Sequence, residues 1–164
     1  SARQYQISAA PIDGLTISAS YLENDGYSST YKQTYENGGV SAKYSVGPVT
    51  VGYGKFHIAP AILKATVDQH TYAYENTSFG IGFNVNEALS VSYTEEKSEA
   101  SKKTVTAATR ADALVKVETE ITAIQAAYTM GGMTLSVASK SIDNMDYTAN
   151  VDGQETVIAV SLAF

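Results

Sequence analysis

An all-β fold, a transmembrane antiparallel up-and-down β-barrel, is predicted by three features of this 164-residue sequence. Apolar residues recur at every second position in nine separate segments, with small polar residues between them. The connections between those segments alternate between short and long. Tyrosine dominates the aromatics, with 12 Tyr against 4 Phe and no Trp. Composition supports a folded chain of low charge. The 17 acidic and 11 basic residues give a net charge of −6, and charged residues are 17% of the total. That is below the ~25% of an ordinary soluble domain. With no cysteine, disulfide scaffolds and thiolate metal sites are excluded. The acidic balance argues against nucleic acid as a partner.

The first segment is Tyr5, Ile7 and Ala9, with Gln4, Gln6 and Ser8 opposite. Leu15 to Tyr21, Val40 to Val46, Val49 to Tyr53, Phe79 to Val85 and Leu89 to Tyr93 follow the same alternation. Ile124 to Met130, Met133 to Val137 and Ile158 to Phe164 complete it. Each has one apolar and one small polar face, as a strand between two environments must. No segment reads as a helix, and no apolar run reaches the ~18 residues of a membrane helix. At Val115–Ile121 the pattern is weakest: Val117, Thr119 and Ile121 have the opposite parity to Ile124 and Tyr128. A bulge near Thr122, or projection of this stretch above the apolar zone, would account for it.

Short connections fall at Pro11–Gly14, Gly47–Pro48, Asn86–Ala88 and Gly131–Gly132, all rich in turn-forming residues. Long polar ones are expected from Leu22 to Gly38, Ala59 to Glu75, Thr94 to Leu114 and Asp143 to Gln154. An extra strand at Ser28–Tyr35 is an alternative, which would make ten. Membrane barrels of the bacterial outer membrane sort their connections this way, with short turns facing the periplasm. Tyr21, Tyr53 and Tyr93 lie toward one end of their segments and Tyr44 and Tyr128 toward the other, as interfacial girdles require.

Catalytic and metal chemistry find little support. His57 and His70 form no ligand pair, and the acidic set Asp143, Asp146, Asp152 and Glu155 lacks the positions of a calcium loop. The Gly52-x-Gly54 and Gly80-x-Gly82 pairs lie inside strands with no helix to follow, so they are not phosphate loops. Lys97, Lys102, Lys103 and Arg110 are balanced by Glu95, Glu96, Glu99 and Asp112, which reads as a solvated region. No nucleophile–base pair assembles, so an enzyme is not expected, and neither a cofactor nor a metal is implied.

By parity, the wall facing a lumen comprises Ser18, Ser20, Lys43, Ser45, Thr50, Asn84, Ser92, Gln125, Thr134, Ser136 and Lys140. Lys43 and Lys140 are its only lysines within the strand cores. Small Ser, Thr, Gly and Ala cannot fill a narrow barrel, but they suit a wide, water-filled one of about 16 strands. At ~18 residues per strand such a barrel needs roughly 290 residues. Residues 1–164 are therefore expected to be the C-terminal portion of a single barrel domain, with the N-terminal strands absent.

The last segment, Glu155-Thr-Val-Ile-Ala-Val-Ser-Leu-Ala-Phe164, ends on an aromatic with alternating apolar residues before it. It resembles the C-terminal strand of bacterial outer-membrane porins, and the hairpin plan extends that resemblance over essentially the whole chain. The resemblance implies a 16-stranded barrel of the general diffusion class. It implies that Ile158, Val160, Leu162 and Phe164 are read by the barrel-assembly machinery. It also implies a homotrimer in contact with outer-membrane lipid and lipopolysaccharide. Function would be passive diffusion of small hydrophilic solutes and ions. A substrate-specific channel and a non-conducting structural or adhesive barrel are the alternatives within the fold. A soluble β-sandwich is the alternative outside it. With Phe164 at the periplasmic end, residue 1 is expected on the extracellular side.

Overall fold

The computed structural model describes residues 2–24, 30–64, 70–105 and 112–163. Its strands are β1 (Ala2–Ile12), β2 (Leu15–Asn24), β3 (Tyr31–Gln33), β4 (Tyr35–Val46), β5 (Val49–Ala59) and β6 (Ile62–Leu63). They continue with β7 (His70–Asn84), β8 (Leu89–Val105), β9 (Asp112–Met130), β10 (Met133–Asp143) and β11 (Gly153–Leu162). Nine of them form one sheet in the order β1-β2-β4-β5-β7-β8-β9-β10-β11, every pair antiparallel. Sheet neighbours follow chain order, which is the up-and-down plan. β1 and β11 are not paired with each other, so the sheet has two open edges among the described residues.

The tight turns are built by residues suited to them. Gly14, Gly47 and Gly131 hold φ of +77°, +54° and +59°, which a side chain disfavours. At Gly14 a Cβ would also stand 2.1 Å from the Ser45 carbonyl oxygen. Asn86 makes its turn another way: its Oδ1 accepts from the backbone N–H of Ala88 and Leu89, both at 2.9 Å.

Three expectations are revised. Most of Thr94–Leu114 is strand: β8 runs on to Val105 and β9 starts at Asp112. The two pair residue for residue with Lys97, Glu99, Lys116 and Glu120 supplying cross-strand partners, so polar composition there reflects solvent on the ladder rather than a loop. No bulge occurs near Thr122, because the register of β9 with β8 and β10 runs through it unshifted. The Leu22–Gly38 and Ala59–Glu75 connections are also shorter than expected, and they pair with each other. Strand β3 joins β6 through Tyr31–Leu63 and Gln33–Ile62. The Gln33 amide donates to the carbonyls of Pro60 and Tyr72, both at 2.8 Å. Only this short pair represents the alternative strand at Ser28–Tyr35. It lies outside the large sheet, and residues 25–29 lie outside the described set.

There is almost no apolar core. Among the described residues only Ile62 (4% exposed) and Ala100 (0%) are buried hydrophobics. Most of the large apolar side chains stand instead on one face of the sheet.

Candidate lumen wall and its strap

Directly opposed residues in a ladder share a face, so the register assigns every side chain to one face or the other. One continuous row reads Val46–Val49–Phe83–Val91–Ala126–Val137–Ile158. The row nearer the long connections reads Ala42–Tyr53–Phe79 and then turns polar at Glu95–Thr122–Ser141–Gln154. Toward the short turns, apolar residues continue only on the later strands, through Leu135 and Val160 to Met133 and Leu162. The apolar band therefore crosses the register rows obliquely. Its edge falls about four residues over about five strand spacings, equivalent to strands tilted by roughly 30° to the band. Tilted strands are what a closed barrel requires.

Aromatics edge this face. Tyr21 and Tyr93 point their hydroxyls toward the long-connection end, donating to Glu23 at 3.2 Å and Glu95 at 3.1 Å. Beyond the band lie charges: Lys97 bridges Glu95 and Glu120 (both 3.3 Å), and Lys116 bonds Glu99 at 2.6 Å. His57 lies in this zone between Gly38 and Glu75. His70, at the start of β7, lies 5.8 Å from the Tyr72 ring. No group of three potential metal ligands comes together among the described residues.

The opposite face carries every residue assigned above to a lumen wall. Lys43 and Lys140 lie in one row, Thr16–Lys43–Gly52–Gly80–Thr94–Ala123–Lys140–Glu155. Ser45, Thr50, Ser92 and Gln125 lie in the next row toward the short turns, and Asn84 and Ser136 in the one after it. Thr134 pairs with Thr129 beyond them, while Ser18 and Ser20 lie toward the long connections. Hydroxyl pairs tie the strands across this face: Ser8–Ser18 (3.0 Å), Ser45–Thr50 (2.9 Å) and Thr129–Thr134 (3.0 Å). Two shallow concavities, of ≈ 380 and ≈ 340 Å³, follow it. The first is lined by Ser18, Lys43, Gly52 and Gly80, and the second by Thr50, Asn84, Ser92, Gln125 and Ser136.

The two lysines differ. Lys140 is paired with Glu155 of the next strand at 2.5 Å, whereas Lys43 has no ion pair among the described residues. Glu96, Lys102, Glu155 and Phe56 also stand on this face. The parity of β5 and β8 already contained Phe56 and Glu96, since they continue Gly54 and Thr94. Phe56 lies over Gly39 and Gly54, where an added Cβ would meet its ring at 2.2 and 2.6 Å. The ring fills what those glycines leave open.

No sequence signal pointed to Tyr147. The last long connection folds back over the small-residue face as a strap. The Tyr147 hydroxyl bonds Ser98 Oγ at 2.6 Å, and Ser98 donates in turn to Asn76. The Tyr147 amide donates to Thr119 Oγ1 (3.2 Å), which itself donates to the Asn144 carbonyl (2.7 Å). Lys102 donates to the Tyr147 carbonyl at 3.2 Å and lies 5.5 Å from its ring, and the Tyr74 ring lies 5.5 Å away on the other side. Asn144 closes the base of the strap, donating through Nδ2 to the Glu118 carbonyl (2.9 Å) and through its amide to Asp152 (3.1 Å). Every described non-glycine residue with positive φ is here: Asn144, Asp146, Tyr147 and Asn150. Asn and Asp tolerate that region, but Tyr147 costs roughly 1–2 kcal/mol, offset by the hydrogen bonds just named. The strap also explains the parity puzzle in β9, because Thr119 (8% exposed) and Ile121 face Met145 and Tyr147.

Ile158, Val160 and Leu162 stand on the apolar face of β11, each more than half exposed. Phe164 lies outside the described residues.

Comparison with protein-family models finds no match, and no curated protein matches the chain. A search of solved structures does find likeness. The chain superposes on a refined porin structure with a TM-score of 0.68 at 18% sequence identity, over 98% of this chain and 50% of that one. The chain thus spans about half the length of that porin, and at this identity the likeness is one of fold: nine antiparallel strands arranged like half of a porin barrel.

Proposed function

We propose that this chain is the C-terminal half of an outer-membrane barrel through which small hydrophilic solutes and ions diffuse passively. The observation that carries this reading is the two-sidedness of the sheet. An oblique apolar band edged with tyrosine covers one face, and hydroxyls, glycines and a few charges cover the other. The band suits lipid and the opposite face suits water. The two open sheet edges support an incomplete barrel, because in lipid each unpaired backbone group costs several kcal/mol. The porin-like fold over half the length of its neighbour supports the same reading. On it, the short turns face the periplasm, residue 1 lies outside, and the intact protein assembles as a homotrimer folded by the barrel-assembly machinery among lipopolysaccharide. Ile158, Val160, Leu162 and Phe164 form the strand read during that assembly. The reading is of a channel rather than an enzyme.

Planar-bilayer recording on the full-length protein tests this. A large ionic conductance that does not saturate with solute concentration is expected. Saturable flux would favour a substrate-specific channel. Absence of any conductance from protein correctly folded in detergent would sink the proposal in favour of a structural barrel.

A further inference from the structure

Resting on the channel reading above, we infer that the Asp143–Gly153 strap is the element that limits passage at the outer end of the lumen, with Tyr147 as its anchor and Asp146 as its charge determinant. The strap leaves the wall at the end of β10 and reaches back across β9 to Ser98 of β8 and the ring of Tyr74 in β7. With strands ~4.8 Å apart, that is a reach of roughly 10–14 Å along the wall. A chain segment laid on a sheet face takes up a layer about 10 Å thick, and here that layer lies on the face turned to water.

The anchoring is specific rather than incidental. Tyr147 is held through its hydroxyl, its amide and its carbonyl, by Ser98, Thr119 and Lys102 respectively. All three partners belong to the water-facing side of β8 and β9. The left-handed backbone at Asp146 and Tyr147 is sustained by those bonds, so the segment has one defined position. Beneath it is a cavity of ≈ 600 Å³ whose lining includes Phe56, Ser78, Glu96 and Asp146. The charged groups lining that cavity are Glu96, Lys97 and Asp146, so the loss of one carboxylate moves its balance away from cations.

Conductance of the full-length protein and its variants tests this. Tyr147→Ala frees the strap and is expected to raise single-channel conductance about twofold and to admit larger neutral solutes. Tyr147→Phe, which keeps the ring and loses the Ser98 bond, should fall between. Asp146→Asn should lower the cation-to-anion permeability ratio without changing uptake of neutral sugars. If Tyr147→Ala fails to fold, Asp146→Cys carries the test; residues 1–164 hold no cysteine, and any elsewhere in the full-length protein is first replaced by serine. A bulky cationic thiol reagent added from outside should then reduce the current of the open channel. A conducting parent whose current is unchanged by the freed strap, or by modification at position 146, overturns this inference and leaves the channel reading intact. A parent that does not conduct overturns both.

Discussion

Two stretches of the same wall met the same sequence rule and ended differently. Across β4, β5 and β7 the small-residue face is nearly bare at its centre, with Gly39, Gly52, Gly54, Gly80 and Gly82 there and the Phe56 ring lying over the first and third of them. Across β8 and β9, toward the long connections, the same side carries Ser98, Ala100, Val117, Thr119 and Ile121, and the strap covers it. Both stretches obey period two. What separates them is the size and polarity of the residues on that face: glycine where it is left open, Thr and Ile where chain covers it. A sheet face advertises its own environment, and an apolar residue out of parity marks where a remote segment lands.

The comparison breaks most sharply at Gly39. A leucine there would drive its Cβ into the Phe56 ring and the Lys55 carbonyl, at 2.2 and 2.7 Å. We expect a loss of roughly 1–3 kcal/mol from overpacking. Gly82→Leu, where no atom lies within 4 Å of an added Cβ, should unfold at nearly the parent's urea concentration. Equal losses at both glycines would show that the bare wall is not bare. On the covered stretch, Thr119→Val keeps shape but removes a donor to Asn144 and an acceptor for Tyr147. A cost of about 1–2 kcal/mol is expected, read as faster hydrogen exchange confined to the strap and its partners. The exchange pattern of β4 and β5 should not move.

Charge sharpens the same contrast. Lys43 on the bare stretch has no ion pair among the described residues, and Lys140 in the same row is bound to Glu155. Reversal potentials should therefore shift toward cations for Lys43→Gln, whereas replacing the pair together, Lys140→Gln with Glu155→Gln, removes no net charge and should change them far less. The smallest effect is expected outside both stretches, at Lys116. Its ammonium is held above the usual lysine range, chiefly by the hydrogen bond to Glu99. A lysine raised in this way contributes below its unfolded pKa of about 10.4 and loses the contribution as pH climbs past the folded value. Stability should be flat in this respect through neutral pH and weaken only in strong alkali. Because the pair is exposed, Lys116→Gln should leave neutral-pH stability close to the parent's, and a large loss would contradict the contact.

Sheet membership was readable because period two appears wherever the two faces carry different kinds of side chain. Ser92 and Gln125 could be assigned to one face from Val91 and Ile124 alone, and the register places them opposite one another. The ends of β8 and β9 escaped the same reading: past Thr94 one face is exposed and the other lies under the strap, so Lys97 and Glu99 alternate with Ser98 and Ala100 without a run of large apolar residues to follow. Tyr147 escaped for a different reason. Its role depends on contacts with Ser98, 49 positions earlier, and on left-handed backbone that no local pattern in Asp143–Gln154 announces. The Lys140–Glu155 pair was missed because register across a long connection is set by where the strap lets β11 re-enter the sheet.

The strict chain-order pairing of the sheet has a kinetic side. Each ladder closes against the strand made just before it, so most connections must surrender little loop entropy before pairing stabilises them. Growth of this kind is hairpin upon hairpin, the low-contact-order route that speeds assembly. Tyr147 is an exception: it cannot find Ser98, Thr119 and Lys102 until β8, β9 and β10 already lie side by side. The strap is therefore a latch that closes after the wall it rests on, and its closure reports that the wall has formed in register.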